Sequence, residues 1–220
     1  MIKQRTIKQT ASAVGIGLHS SRKVKLVMRP APPDTGIVFR RVDITPAVDL
    51  PSRAESVNDT RLATTLNEGK VIVSTIEHLM SALNGLAIDN LIVEIDAPEI
   101  PIMDGSGATF VYLIRNAGIL EQPVPRRFVR VKKTVEVRDG DKWARLEPHN
   151  GMILDFAIAF GHPAIDSTVQ HAVVDLGLET YEQAVSRART FGFVSEVELL
   201  RSMGLAKGGK IGRASCRARV

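Results

Sequence analysis

In the stretch STIEHLMSAL, Ser74 to Leu83, a carboxylate and an imidazole stand side by side as Glu77 and His78. Such a pair suits metal-assisted hydrolysis. A catalytic zinc needs about three protein ligands and an open position for water, and a nearby carboxylate to take that water's proton. Neighbours on a helix point roughly 100° apart, so both side chains reach one site only if it faces the first turn. Helical motifs with adjacent Glu and His show base and ligand serving together. The same letters also fit plain helix geometry. Ser74-x-x-Glu77 matches a capping box, with Glu77 bonding back to a backbone N–H. Ile76, Leu79, Met80, Leu83 and Leu86 form a wide apolar face around a lone histidine. Local sequence leaves both readings open.

The elements that would position this pair read as alternating strands with few helices. Val24, Leu26 and Met28 alternate with Lys23, Lys25 and Val27 until Pro30-Ala-Pro-Pro33 breaks the strand. Gly36 to Val42 reads as the returning strand, and Leu91, Val93 and Ile95 mark another. Phe110, Leu113, Ile114 and Ala117 fall at i, i+3, i+4, i+7, with Ser106 as cap and Gly118 as stop, which predicts a helix laid on a sheet. The segment GILEQPVPRR, with Pro123 and Pro125, reads as a linker. Beyond it the pattern restarts. Val131 to Arg138 alternates, Asp139-Gly140 supplies a hairpin turn, and Trp143 to Glu147 returns. Leu154, Phe156, Ile158 and Phe160 form one strand face, and Tyr181, Ala184, Val185 and Ala188 a helix stripe. Ser195 with Glu198 resembles a capping box opening a last helix that Gly204 ends. The expected fold is α+β: a first domain over 1–121, a linker at 122–127 and a similar second domain over 128–209, each a sheet with helices on one face.

Composition narrows the function. With 44% hydrophobic and 24% charged residues, the 220-residue chain is ordinary for a globular protein. It has no run of about 18 apolar residues to span a membrane and no signal-peptide-like start, so the expected location is cytoplasmic. One cysteine, Cys216, excludes an internal disulfide framework. The net charge of +5 comes from the end of the chain, where Lys207, Lys210, Arg213, Arg217 and Arg219 have no acidic neighbour. Without those five, 24 basic residues balance 24 acidic ones. A nucleic-acid binder needs basic residues patterned over the fold, and that pattern is absent. Residues 210–220 read as a non-native or disordered basic tail.

Six segments in order settle which reading of Glu77-His78 is favoured: GIGLHSS (Gly15 to Ser21), STIEHLMSALNGLAIDN (Ser74 to Asn90), DAPEIPIMDGSG (Asp96 to Gly107), DGDKWARLEP (Asp139 to Pro148), FGHPAIDS (Phe160 to Ser167) and SRARTFGF (Ser186 to Phe193). Together they closely resemble the bacterial UDP-3-O-acyl-N-acetylglucosamine deacetylases, zinc amidases that commit the pathway to lipid A. The resemblance runs from Met1 to about Gly209. It implies two similar domains packed as a β-α-α-β sandwich, a Zn2+ cofactor, and a UDP-linked acylated amino sugar that loses its N-acetyl group as acetate. It implies His78 as the first zinc ligand, Glu77 as the general base, and Thr190 as a hydroxyl stabilising the oxyanion. Phe160 and Phe191 become aromatic contacts to the nucleotide sugar and Lys142 a further substrate contact. Thr60 and Leu62 would line the cleft, and His19 and Asp104 would border the site. Each secondary residue also has a plain reading: Phe160 in a strand core, Asp104-Gly105 in a turn, Lys142 on a hairpin's solvent face.

The chain also departs from the family. The remaining ligands, a His and an Asp in an H-K-x-x-D motif followed by a general-acid His, are not in these 220 residues. His162-Pro-Ala-Ile-Asp166 has similar spacing, but HPAID has its own place in the family, and Pro163 puts His162 at or before a helix start. Ala159 stands where an acidic residue is common. After GLAKGG the chain reads KIGRASCRARV, which resembles nothing in the family's continuation. The expectations are a monomer, truncated in its second domain, and two functional readings: the zinc deacetylase, or an inactive fragment keeping part of the nucleotide-sugar cleft.

Overall fold

Alternation in the first quarter of the chain builds the central sheet. Strands β1 (Lys3–Ile7), β2 (Ala11–Ile16), β3 (Lys23–Pro30), β4 (Ile37–Arg41) and β5 (Val48–Pro51) are followed by a short 3-10 turn, Ala54–Ser56. Then come β6 (Val57–Asp59), β7 (Thr65–Glu68), β8 (Val71–Val73), helix α1 (Glu77–Gly85), β9 (Leu91–Ile95), α2 (Ala108–Ala117) and β10 (Ile119–Pro125). The computed structural model describes residues 1–159, 170–177 and 179–208. It divides them into two compact units. Met1–Pro125 forms one together with the described residues from Tyr181 onward, and Arg126–Thr180 forms the other.

In the first unit five strands run in the order β2-β3-β9-β4-β5. Leu26 stands opposite Ile95, Met28 opposite Val93, and Phe39 beside both Val93 and Leu50. Period two therefore puts Leu26, Met28, Phe39, Leu50, Val93 and Ile95 on a fully buried face. The opposite face carries ion pairs such as Arg29–Glu94 and Arg40–Asp49. Leu79, Ala82 and Leu83 of α1 and Phe110, Ile114 and Ala117 of α2 complete the buried set, and α1 packs on α2. Among the described strands the pairings are antiparallel except β4 with β9. Gly36 to Val42 is a strand as expected, but β9 lies between it and β3. The returning chain thus leaves room for a strand that arrives fifty residues later. Strands β6, β7 and β8 form a separate three-stranded sheet.

The proline segment read as a linker is, up to Pro125, strand β10. It pairs with β1 in a two-stranded sheet, with an irregularity between Lys3 and Arg5. An edge strand has an unpaired N–H side, so prolines are tolerated there. Gln122 on this strand is buried and hydrogen-bonded to Asn90, which also reaches Gln4. Such a network ties β10 firmly to the unit.

Among its described residues the second unit holds two antiparallel strand pairs. One joins β11 (Val135–Asp139) to β12 (Lys142–Leu146), with Gly140 at φ +60 in the turn. The other pairs β13 (Ile153–Ala157) with β14 (His171–Asp175). Back in the first unit, α3 (Tyr181–Ala184) is a single turn and α4 covers Val194–Ser202. Helix α4 starts one residue before Ser195. Glu196, not Glu198, reaches back, accepting a hydrogen bond from the Phe193 N–H at 3.1 Å. Gly204, at φ +82, follows the helix as expected. The chain is thus a mixed α+β protein with mostly antiparallel sheets, and no described helix is long and apolar enough to cross a membrane.

Candidate active site

Helix α1 begins at Glu77, so Glu77 and His78 are its first two residues, with Ile76 as the residue before it. No side chain caps this helix. The predicted capping box does not form. Instead Glu77 Oε2 accepts a hydrogen bond from the backbone N–H of Thr64, 2.9 Å away in the β6–β7 connection. Ser74, the other half of the expected box, accepts from the Thr65 hydroxyl at 3.0 Å. The Thr64 carbonyl accepts in turn from the Ile76 N–H at 3.4 Å. A loop and a helix start are stapled together at the carboxylate.

Glu77 and His78 line one cleft of about 260 Å³, shared with Ser81, Gly107, Tyr181, Val185 and Ala188. Glu77 and Ser81 also line a second, larger cleft of about 490 Å³, whose walls include Thr64, Leu66, Ile76 and Met80. Sequence reasoning missed Ser81, although its position one turn after Glu77 puts it on the same helix face. It also missed Tyr181 as a cleft residue, reading it as part of an apolar stripe. The Ser81 hydroxyl donates to the Tyr181 hydroxyl at 2.8 Å. Burial pushes the Tyr181 phenol up from its ordinary range, and the Ser81 hydrogen bond pulls against that.

The other expected residues are distributed around this centre. Thr190 is exposed and lines neither cleft, but its backbone N–H donates to the Gly105 carbonyl at 3.3 Å, close to the start of α2. Phe191 is 37% exposed and meets Phe193 edge-on, with ring centroids 5.8 Å apart. Thr60 and Leu62 lie outside both clefts. Leu62 is 58% exposed on a left-handed backbone at φ +64, an unusual conformation for a branched side chain. Lys142 opens β12 in the second unit, exposed and opposite Asp139. Phe160 and the HPAID segment lie outside the described residues.

His19 sits in a loop clamped by Glu99. The buried Glu99 carboxylate accepts from the His19 N–H at 2.8 Å, the Ser20 N–H at 2.9 Å and, weakly, the Thr75 hydroxyl at 3.4 Å. Both ring nitrogens of His19 are enclosed with no hydrogen-bond partner among the described residues. Thr75 carries a left-handed backbone, φ +59, two residues before Glu77. Glu99 thus links two sequence motifs, GIGLHSS and the entry to α1. Its own motif was noticed, but its role was not.

Asp104 is a hub at the start of α2. It accepts from the Ser106 N–H and hydroxyl, from the Thr109 hydroxyl, and from Arg189 at 3.3 Å. Burial disfavours its charge, but these donors outweigh that and hold its carboxyl below the usual range. A carboxyl depressed in the folded state contributes stability above its unfolded pKa, about 3.9, and loses it as pH falls through the lower folded value. Acid titration of thermal stability should therefore show a limb below about pH 4 that flattens in Asp104→Asn. An identical acid limb in the variant would remove Asp104 from the account.

Zinc fits these residues only in part. Among the described residues no three His, Cys, Asp or Glu side chains gather where they could hold a metal ion. His78 with Glu77 falls short of the three ligands a catalytic zinc uses. What the structure does place together is a helix-borne carboxylate and imidazole lining one cleft, beside a loop pinned to the carboxylate. Residues 4–217 match the family described as LpxC: UDP-3-O-acyl N-acetylglycosamine deacetylase, and the chain belongs to that family.

Proposed function

We propose that the cleft at Glu77 and His78 is where this chain meets the N-acetyl amide of a UDP-linked, 3-O-acylated glucosamine. The family is one of deacetylases in lipid A biosynthesis, and it implies a UDP-sugar substrate. The observation carrying the proposal is the position of Glu77: its carboxylate is fixed by Thr64 yet lines the cleft that His78 also lines. In the reaction, water oxygen bonds to the acetyl carbon and the C–N bond breaks. Acetate leaves, and the sugar keeps a free 2-amino group. Glu77 receives the proton of the attacking water, and Thr190 is the proposed hydroxyl donor to the developing oxyanion. His78 is one expected zinc ligand, and the described residues supply no complete set to go with it. The reading places the reaction in the cytoplasm and the chain as a monomer.

That shortfall favours a second reading, a chain that holds part of the nucleotide-sugar cleft without turning it over. Zinc titration by equilibrium dialysis, with acetate release measured on the same samples, separates the two. The proposed role of the cleft expects zinc-dependent acetate release; zinc held weakly and well below one ion per chain, with acetate release close to the blank, would favour the second reading. One tightly held zinc per chain, with steady turnover that Glu77→Gln abolishes, would establish the complete enzyme and sink the second reading. Binding of the UDP-sugar with no acetate released even at saturating zinc would establish the second reading.

A further inference from the structure

Residues that follow the second unit in sequence return to the first unit and lie along the Glu77–His78 cleft. Tyr181 opens this strap and is only 7% exposed. Its ring fills a slot made by two glycines. A Cβ at Gly85 would overlap the ring, and one at Gly107 would overlap the phenol oxygen. Both glycines have ordinary backbone angles, so space rather than conformation requires them. The phenol oxygen meets Ser81 Oγ, one turn along α1 from Glu77. Next to it, Glu182 forms a two-point ion pair with Arg115 of α2, 3.0 Å at the Nε contact. Further along, Arg189 bridges to Ser106 and reaches Asp104, and Thr190 bonds to Gly105. Between these anchors Val185 and Ala188 line the cleft.

Of these anchors only Tyr181 touches both α1 and the cleft itself. The ion pairs are largely exposed, and exposed ion pairs hold chains together weakly. A part-buried hydroxyl pair beside a ring held in a close-fitting slot fixes register, since a one-residue slip of the strap would pull the ring from its slot and break the pair. We infer that Tyr181 is a positioning residue: its hydroxyl, locked to Ser81, sets the register in which Val185 and Ala188 line the Glu77–His78 cleft and in which the strap continues to Thr190. This rests on the roles proposed above for Glu77 and Thr190. Removing the hydroxyl would therefore loosen the far end of the strap, seven to nine residues away, before it loosens the sheet.

The test is amide hydrogen exchange on the full 220-residue chain, with the ring nitrogen resonances of His78 recorded alongside. Tyr181→Phe keeps the ring in its slot and removes only the hydroxyl, and Ser81→Ala removes its partner. Each should speed exchange at Ala188 and Thr190 about tenfold, the size of one hydrogen bond, and shift the His78 ring signals. Exchange in β3 and β9 should not change, the double variant should add nothing to either single one, and Ser81→Thr should restore the slow exchange. Unchanged exchange at Ala188 and Thr190, or an equal rise throughout the sheet, would overturn the inference and leave Tyr181 as packing alone. Neither readout needs zinc or turnover. A chain that releases no acetate can still show the tenfold effect, and a true deacetylase can fail to show it.

Discussion

Replacing Glu99 with alanine should cost about 3–5 kcal/mol of folding stability, a large part of the roughly 5–15 kcal/mol a domain has. The carboxylate is 3% exposed and accepts two backbone N–H bonds, from His19 and Ser20, at 2.8 and 2.9 Å. Bonds to a charged acceptor contribute about 1.5–3 kcal/mol each, and a donor left buried without a partner carries its whole desolvation penalty. Gly17 packs so closely on the carboxylate that a Cβ there would overlap it. Glu99→Gln keeps one carbonyl oxygen but turns an amide N–H₂ toward a donor, so it should fall between wild type and alanine. Urea denaturation measures both. A loss under about 1 kcal/mol for the alanine variant would mean that water replaces the carboxylate and that the clamp is not structural. The consequence for the site is local. Thr75, on its left-handed backbone, and the bridge between Ser74 and Glu99 set where α1 starts, and Glu77 is at that start.

Glu99 also marks the limit of what was legible in the sequence. Period-two alternation placed Leu26, Met28, Val93 and Ile95 on one face because that rule depends only on neighbours along the strand. The apolar spacing of Phe110, Ile114 and Ala117 predicted α2 for the same reason. Misreadings came where a distant partner decides the outcome. The strand character of Pro125 is hidden until β1, more than a hundred residues earlier, pairs with it. Ser74-x-x-Glu77 looks like a capping box until the β6–β7 connection offers the Thr64 N–H. In the cleft, Glu77 and His78 are singled out by residue type and by the six motifs. Ser81 and Tyr181 are not, because their contact spans a hundred positions and leaves no local pattern.

The same contact reverses the sign of an ordinary substitution at Gly85. Glycine in a helix is normally worse than alanine by about 1 kcal/mol, so Gly85→Ala in α1 would be expected to stabilise. Here the new Cβ would overlap the Tyr181 ring and press on its Cβ at 2.7 Å. Three ring and stem atoms in the way cannot yield as the far end of a flexible side chain would, so Tyr181 must leave the slot. Losing the buried ring costs about 1.5–3 kcal/mol, and losing the Ser81 hydrogen bond about 1. Set against the helical gain, the net expectation is a destabilisation of about 1.5–3 kcal/mol. A second variant isolates the cause. In a Tyr181→Gly background both the ring and its Cβ are gone, so adding Gly85→Ala should stabilise by about 1 kcal/mol. The same substitution then changes sign with its partner, a coupling typical of residues in contact. Denaturation curves of the four proteins in this cycle decide it: if Gly85→Ala stabilises in both backgrounds, Tyr181 does not occupy the slot, and the register of the strap must be set elsewhere.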